Sequence, residues 1–306
     1  MPPLSRFHRA GYWLRLARLL VAAIGFALLV LPVAAGMMFT LGLLYMPCQD
    51  DASPAAFGLT AEPVVVEVPG QGIRRGYFFP GDNRAAVILP PTLSGGRGSR
   101  LSVAALLNRH GYSVLTLESR RCAGAGPLTL GYAEVDDVAA ALDYLRQRPE
   151  VDPHRIGIHG FSSGGATAVM AAARLPGIAA VVAEGHYGHF AAETLSFGRG
   201  GWPVRYFELL FAGSVRLTYY LVTGFSIDRL SPREVIGQIE PRPVLLIYGS
   251  REVSLVGARA QLSAAGPHTQ LWIVPSAGHG DYLQVAPEEY PRRVLEFFNQ
   301  ALIEGD

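Results

Sequence analysis

The chain has 306 residues, of which 50% are hydrophobic and 17% charged, with a formal net charge of +1. An average soluble domain carries roughly 25% charged residues, so this balance excludes an intrinsically disordered chain and a nucleic-acid binder that works through a basic excess. All the basic charge is arginine; without lysine, a lysine Schiff base and a P-loop lysine are both excluded.

In chain order, the first element is apolar. Arg6, Arg9, Arg15 and Arg18 make residues 1–18 a basic segment, and no acidic residue occurs before Asp50. The uncharged run over 19–46 exceeds the roughly 20 residues needed to cross a hydrocarbon core about 30 Å thick, even with Pro32, Gly25, Gly36 and Gly42 inside it. It predicts a transmembrane signal-anchor helix. Arginines before it, and Asp50 and Asp51 after it, predict a cytoplasmic N-terminus and an extracytoplasmic domain. A cleaved signal peptide is the second reading, with an apolar run from Leu19 to Leu31 and Val33-Ala34-Ala35 as the small-residue site. The domain would then be secreted. Met37 to Met46 stays apolar past that cut, which favours the uncleaved anchor. Either reading exports the domain, and an oxidising compartment permits a Cys48–Cys122 bridge without requiring it. Two cysteines exclude a disulfide framework or a cysteine-rich metal site.

Residues 47–63, rich in Ala, Pro and Asp, read as a linker. The remainder, 64–304, suffices for one large domain. Short apolar runs predict strands at 64–68, 77–79, 86–89, 113–117, 156–159, 179–183, 244–248 and 271–274. Longer Ala/Leu-rich stretches predict helices at 100–109, 131–148, 164–174, 255–264 and 287–302. Strand–helix alternation with continuous apolar strands predicts an α/β fold with a mostly parallel central sheet and helices on both faces. The segment 185–231 breaks this rhythm and reads as a helical cap insertion. Within it, Trp202 to Phe225 is apolar, but Arg205, Glu208 and Arg216 oppose a second membrane span.

Gly160-Phe161-Ser162-Ser163-Gly164 follows an apolar strand and opens an Ala-rich helix. That context turns a weak G-x-S-x-G pattern into a candidate nucleophile turn at Ser162, with the helix N-terminus favouring developing negative charge. A serine hydroxyl needs a base. Of eight histidines, His279 is the candidate, because its Ser276-Ala-Gly-His-Gly-Asp281 loop follows the last apolar strand. His159 is expected in the core, and His110, His154 and His268 on the surface. His186 and His189 are spaced to line a pocket or bind a metal; with no third ligand in the pattern, a pocket or surface place is expected. The imidazole needs a carboxylate to hold its tautomer. Glu252, three residues after the strand end at Gly249, is the first candidate acid, and Glu184, at the end of an earlier strand, is the alternative.

These residues, with Val151-Asp-Pro-His-Arg-Ile156, Pro241-Arg-Pro-Val-Leu-Leu-Ile-Tyr-Gly249 and Ala277-Gly-His-Gly280, make the chain resemble the α/β-hydrolase superfamily from Ala55 to Leu302. It looks more specifically like membrane-anchored serine hydrolases with one N-terminal transmembrane helix. The resemblance implies the α/β-hydrolase fold and acyl transfer through Ser162, His279 and Glu252, with no metal or organic cofactor. Three departures stand out. Glu252 occupies a position where the family usually has Asp. Glu118-Ser-Arg-Arg121 replaces a more usual Asp-x-Arg-Gly, with a structural role expected. Pro90-Pro91-Thr92-Leu93 replaces the usual His-Gly of the loop that supplies an oxyanion-hole N–H. Proline has no N–H to give, so Thr92 or Leu93 is expected to donate alongside Ser163.

The function expected is hydrolysis of an ester, a thioester or a lipid-like acyl ester, with a small-molecule or lipid-like substrate and the membrane as partners, and no nucleic acid. A serine peptidase or amidase on the same three residues is an alternative. A non-catalytic, membrane-tethered binding module is the other, motivated by the proline loop and Glu252.

Overall fold

In the computed structural model, residues 6–49, 52–198 and 200–304 are described, with side chains from Tyr12 onward. Asp50 and Asp51, expected to flank the anchor, lie outside the described residues, as do the side chains of Arg6 and Arg9. Eight strands form a single sheet: β1 (Glu62–Val68), β2 (Gly72–Phe79), β3 (Ala86–Leu89), β4 (Ser113–Leu117), β5 (Ile156–Phe161), β6 (Ala180–Glu184), β7 (Val244–Gly249) and β8 (Thr269–Val274). Among the described residues, ten α-helices accompany them: α1 (Arg6–Leu44), α2 (Leu101–Asn108), α3 (Glu134–Arg146), α4 (Ser163–Arg174), α5 (Phe190–Thr194), α6 (Trp202–Thr223), α7 (Pro232–Val235), α8 (Leu255–Ala264), α9 (Tyr282–Val285) and α10 (Glu289–Leu302).

The sheet order is β1-β2-β4-β3-β5-β6-β7-β8. The β1–β2 and β2–β4 pairs are antiparallel, and every pair from β4 onward is parallel. Every residue of β3, β4, β6 and β7 is buried, as expected where helices cover both faces and leave no strand face to water. β1 instead alternates exposed and buried residues, the pattern of an edge strand with one wet face. One apolar core lies between the sheet and α3, α4 and α8, and a second between the sheet and α2 and α10. The segment between β6 and α7 holds α5 and α6 and joins Leu44, Leu128 and Leu130 in a third apolar cluster.

The first helix departs from the 19–46 expectation. It begins by Arg6, because the Arg-, Leu- and Ala-rich flank favours helix. It stops at Leu44, ahead of Pro47, before which the helical conformation is disfavoured. Its stretch Tyr12–Leu44 has the length and hydropathy to cross a membrane or serve as a signal sequence. Exposure divides it in two. Most large apolar side chains from Tyr12 to Leu31 are exposed, whereas Pro32, Gly36, Thr40 and Leu44 form a buried stripe at four-residue spacing. That stripe packs on α6. A side chain at Gly36 would place Cβ 2.6 Å from the Phe211 carbonyl, so glycine is what permits this approach. The Ser214 hydroxyl donates to the Val33 carbonyl at 2.7 Å, and the Phe39 and Phe211 rings lie 5.7 Å apart.

The expected linker over 47–63 is also corrected. Pro54–Phe57 forms a single 3-10 turn, Leu59 is buried, and β1 already starts at Glu62. Gln49 N–H donates to the Ser94 carbonyl at 3.0 Å. Cys48 and Cys122 are joined by a disulfide with Cα atoms 5.5 Å apart, within the usual range for such a bridge. The segment after α1 is therefore fastened to the domain. In the departure at 118–121, Glu118 accepts from the Arg75 N–H and Arg120 reaches the Gln71 side chain, bonds that tie this loop to β2 and the turn before it.

Because the disulfide links positions 74 residues apart, it restricts a long loop in the unfolded chain. Replacing both cysteines by serine is expected to cost about 2–4 kcal/mol of stability. Guanidinium melts of the oxidised wild type and the double variant measure this, and equal midpoints would refute it.

Candidate active site

β5 ends at Phe161 and the chain turns at Ser162 straight into α4. Ser162 sits at φ 55°, ψ −126°, a region that side chains other than glycine rarely enter and that costs on the order of 1–3 kcal/mol. The Ser162 N–H donates to the Glu184 carbonyl at 2.8 Å, stitching the turn to β6. The crowding explains Gly164, where a Cβ would lie 2.9 Å from the Pro91 carbonyl.

His279 stands on the loop between β8 and α9. Its Nε2 is 3.3 Å from Ser162 Oγ and its Nδ1 is 3.0 Å from Glu252 Oε2. The ring rests on Phe161, with centroids 4.7 Å apart, and its side chain is 51% exposed. Glu252 follows β7 and is buried. Its carboxylate also accepts from the Gly249 N–H at 2.7 Å, from Ser254 at 2.9 Å and from the Tyr282 hydroxyl. Burial alone would raise its pKa, but the bonds from His279, Tyr282, Gly249 and Ser254 outweigh burial and hold it below the ordinary carboxylate range. The structure thus brings Ser162, His279 and Glu252 together.

It does not bring Glu184 to His279. The Glu184 side chain lies in a buried network, with Tyr290 OH at 2.6 Å, Arg100 Nη2 at 3.2 Å and His159 Nε2 at 3.4 Å. Burial opposes its charge, yet its contacts with His159, Arg100 and Tyr290 pull the pKa down to about 2. Residue 184 ends β6 with its side chain turned towards Tyr290 of α10 and Arg100, away from His279.

Leu93 and Ser163 border the cleft of about 140 Å³ that contains Ser162, whereas Thr92 borders a smaller neighbouring cavity. Among the described residues, no bond to a backbone acceptor is found for the N–H groups of Thr92, Leu93 and Ser163 alike. His186 is buried, with Nε2 2.9 Å from Gln261 and Nδ1 3.0 Å from the Tyr248 hydroxyl. Burial lowers its pKa to about 4. His189 instead caps α5 by accepting from the Ala192 N–H, and its surroundings differ from those of His186. No group of three His, Cys, Asp or Glu side chains able to hold a metal is found among the described residues.

Two residues escaped sequence reasoning. Tyr282 bonds Glu252 from the first turn of α9, and burial with the adjacent Glu252 pushes its own pKa up. Its place three residues after His279, at a loop-to-helix junction, was the available signal. Gly185, at φ 54°, leaves the space into which the others fit, since its Cβ would lie 3.0 Å from His279 Nδ1 and 3.1 Å from Glu252 Oε2. A glycine directly after a parallel strand hints at close approach, but not at what approaches.

A model of the prolyl oligopeptidase family matches residues 115–187, which contain the Ser162 turn. Two uncharacterized proteins from two strains of Mycobacterium tuberculosis are 28% identical over 261 residues, covering 83% of this chain and 83% of each relative. An esterase of Pyrococcus furiosus superposes with a TM-score of 0.67 at 21% identity, over 85% of this chain and 98% of that one. A 2,6-dihydroxy-pseudo-oxynicotine hydrolase gives 0.64 at 16% identity, over 81% and 70%. The chain has the α/β-hydrolase fold.

Glu184 has a folded pKa of about 2, against an ordinary 4.5. Its stabilisation, about 3 kcal/mol, is therefore present above pH 4.5 and lost as pH falls towards 2. Unfolding free energies of wild type and Glu184→Gln are expected to differ most at pH 7 and to draw together only as pH falls below 4.5 towards 2. A difference that does not shrink on acidification would contradict the assignment.

Proposed function

We propose that this protein is a serine hydrolase that cleaves carboxylic esters through an acyl-serine intermediate. The observation that carries the reading is the hydrogen-bonded chain Ser162–His279–Glu252, with distances of 3.3 and 3.0 Å. The first is slightly long for a catalytic contact, as is common before substrate tightens the site. Ser162 Oγ attacks the ester carbonyl while His279 Nε2 takes its proton. Glu252 accepts from Nδ1–H, which fixes the tautomer and stabilises the imidazolium as it forms. The carbonyl oxygen gains negative charge and receives the Leu93 and Ser163 N–H groups, aided by the α4 N-terminus. The ester C–O bond breaks, His279 returns the proton to the leaving alcohol, and water repeats the sequence to release the acid and restore Ser162. The ordinary preference for Asp at the acid position is met by Glu252 because its longer arm is pinned at four points.

The same reading places residues 64–304 as the hydrolase domain with its cap at 185–231. It assigns α1 as a single membrane span with a cytoplasmic N-terminus and an extracytoplasmic domain. The length and exposed apolar surface of α1 support the span, and the Cys48–Cys122 disulfide supports an oxidising compartment. A second reading, a serine peptidase using the same three side chains, draws on the prolyl oligopeptidase match.

Fluorophosphonate labelling of wild type and loss of both labelling and p-nitrophenyl ester hydrolysis in Ser162→Ala are expected; equal labelling of the two proteins would refute the nucleophile. Glu252→Gln should lower kcat by on the order of 10⁴, whereas Glu184→Gln should stay within a few-fold of wild type once folded. The reverse ranking would exchange the two acids. Faster turnover of peptide p-nitroanilides than of p-nitrophenyl esters would select the peptidase reading.

A further inference from the structure

Resting on the ester-hydrolase reading above, we propose that the substrate is a membrane-resident amphiphile whose acyl chain lies in the Ser162 cleft against Leu43, a residue of α1 itself. The membrane helix would then both anchor the domain and determine acyl-chain specificity.

The walls of the cleft are chemically one-sided. Leu43, Leu93, Leu130 and Phe190 line it around Ser162. The polar side chains nearby are already engaged: His186 has both ring nitrogens turned to Gln261 and Tyr248, and the Tyr187 hydroxyl donates to the Leu130 carbonyl. Away from the two serines and the Leu93 N–H, a charged or hydrogen-bonding group placed there would lose water without finding a free partner among these side chains. An alkyl chain loses only its contact with water.

The position of His279 decides which arm of the ester enters. The leaving alcohol must stand beside His279, which returns its proton. His279 is outside the lining of the cleft, and its ring is half exposed to solvent. The acyl arm is therefore the one directed into the cleft. At about 140 Å³ the cleft is well below the roughly 300–1,000 Å³ that encloses a drug-sized ligand. Only a short stretch of chain fits inside, and the remainder must run outwards past Leu43.

The path past Leu43 continues along an apolar surface. Val33 pairs with Ser214 and Gly36 with Phe211, so α1 and α6 run antiparallel. The later turns of α6, where Leu217, Tyr220 and Leu221 are exposed, thus extend towards the exposed half of α1. That half, Tyr12 to Leu31, carries Arg15 and Arg18 near its start; its uncharged part, the 13 residues from Leu19 to Leu31, is about 20 Å long at 1.5 Å per residue, and the two long arginine side chains can reach back to the headgroups on the far side. Pro32 to Leu44 then stands outside the hydrocarbon core as part of the domain. Leu43 sits roughly 18 Å along the helix from Leu31, within reach of an extended acyl chain drawn up from the bilayer.

The test uses the full chain in phosphatidylcholine vesicles, with p-nitrophenyl acetate and p-nitrophenyl laurate as substrates and the ratio of their kcat/KM values as readout. Leu43→Trp is expected to lower the laurate-to-acetate ratio at least tenfold, by filling the cleft mouth. Met38→Trp, on an exposed face of α1, should leave the ratio as in wild type. A smaller fall in Leu43→Trp, or an equal fall in Met38→Trp, overturns the proposal. If Leu43→Trp is not labelled by fluorophosphonate, Leu43→Ala carries the test, and a ratio within twofold of wild type overturns it. Wild type that neither labels nor cleaves either ester would defeat the serine-hydrolase reading itself, whereas a labelled wild type with an insensitive ratio defeats only the role of Leu43.

Discussion

The buried carboxylate of Glu252 accepts four hydrogen bonds from two distant stretches of chain: Gly249 and Ser254 around its own turn, and His279 and Tyr282 from the loop and helix after β8. An ionised carboxylate removed from water costs several kcal/mol unless its lone pairs are filled. The turn after β7, the His279 loop and the first turn of α9 are consequently stable only in one another's presence. This mutual requirement turns a solvent-facing histidine into one with a defined ring orientation. It also explains why no side chain is tolerated at Gly185, the point these groups converge on.

Two acidic residues illustrate how environment separates roles. Glu184 ends β6 and Glu252 follows the neighbouring parallel strand β7, and both are held ionised against burial. Glu184 spends its lone pairs on Arg100, His159 and Tyr290 and supports the sheet beneath the Ser162 turn. Glu252 keeps one oxygen facing His279. The same functional group thus serves packing in one place and the proposed proton relay in the other.

The N-terminal helix links these energetics to location. A flexible tether would let the domain tumble above a membrane. Here Pro32 to Leu44 is packed against α6, and the chain beyond is fixed by the disulfide and by the Gln49–Ser94 bond, one residue from Leu93. The orientation of the cleft relative to α1 is accordingly set by rigid packing, and a proposed oxyanion donor lies on the same fastened loop.

The eight strands and the main helices are legible in the sequence because local apolar pattern and turn residues mark them, to within a few residues at their ends. Gly160-Phe161-Ser162-Ser163-Gly164 is legible for the same reason: strand, sharp turn and helix are contiguous. His279 and Glu252 could be nominated by their places after strands, although only the fold shows that Glu252, and not Glu184, meets the His279 ring. The division of α1 was hidden, since a buried stripe of Pro32, Gly36, Thr40 and Leu44 has no contrast within a run that is apolar all round. Tyr282, Gly185 and the disulfide were undecided too. Secondary structure follows from forces between residues a few positions apart, which the sequence displays directly. Which side chains share a buried carboxylate, or which face of a helix finds a partner, depends on contacts across scores of residues, and these exist only once the chain has folded.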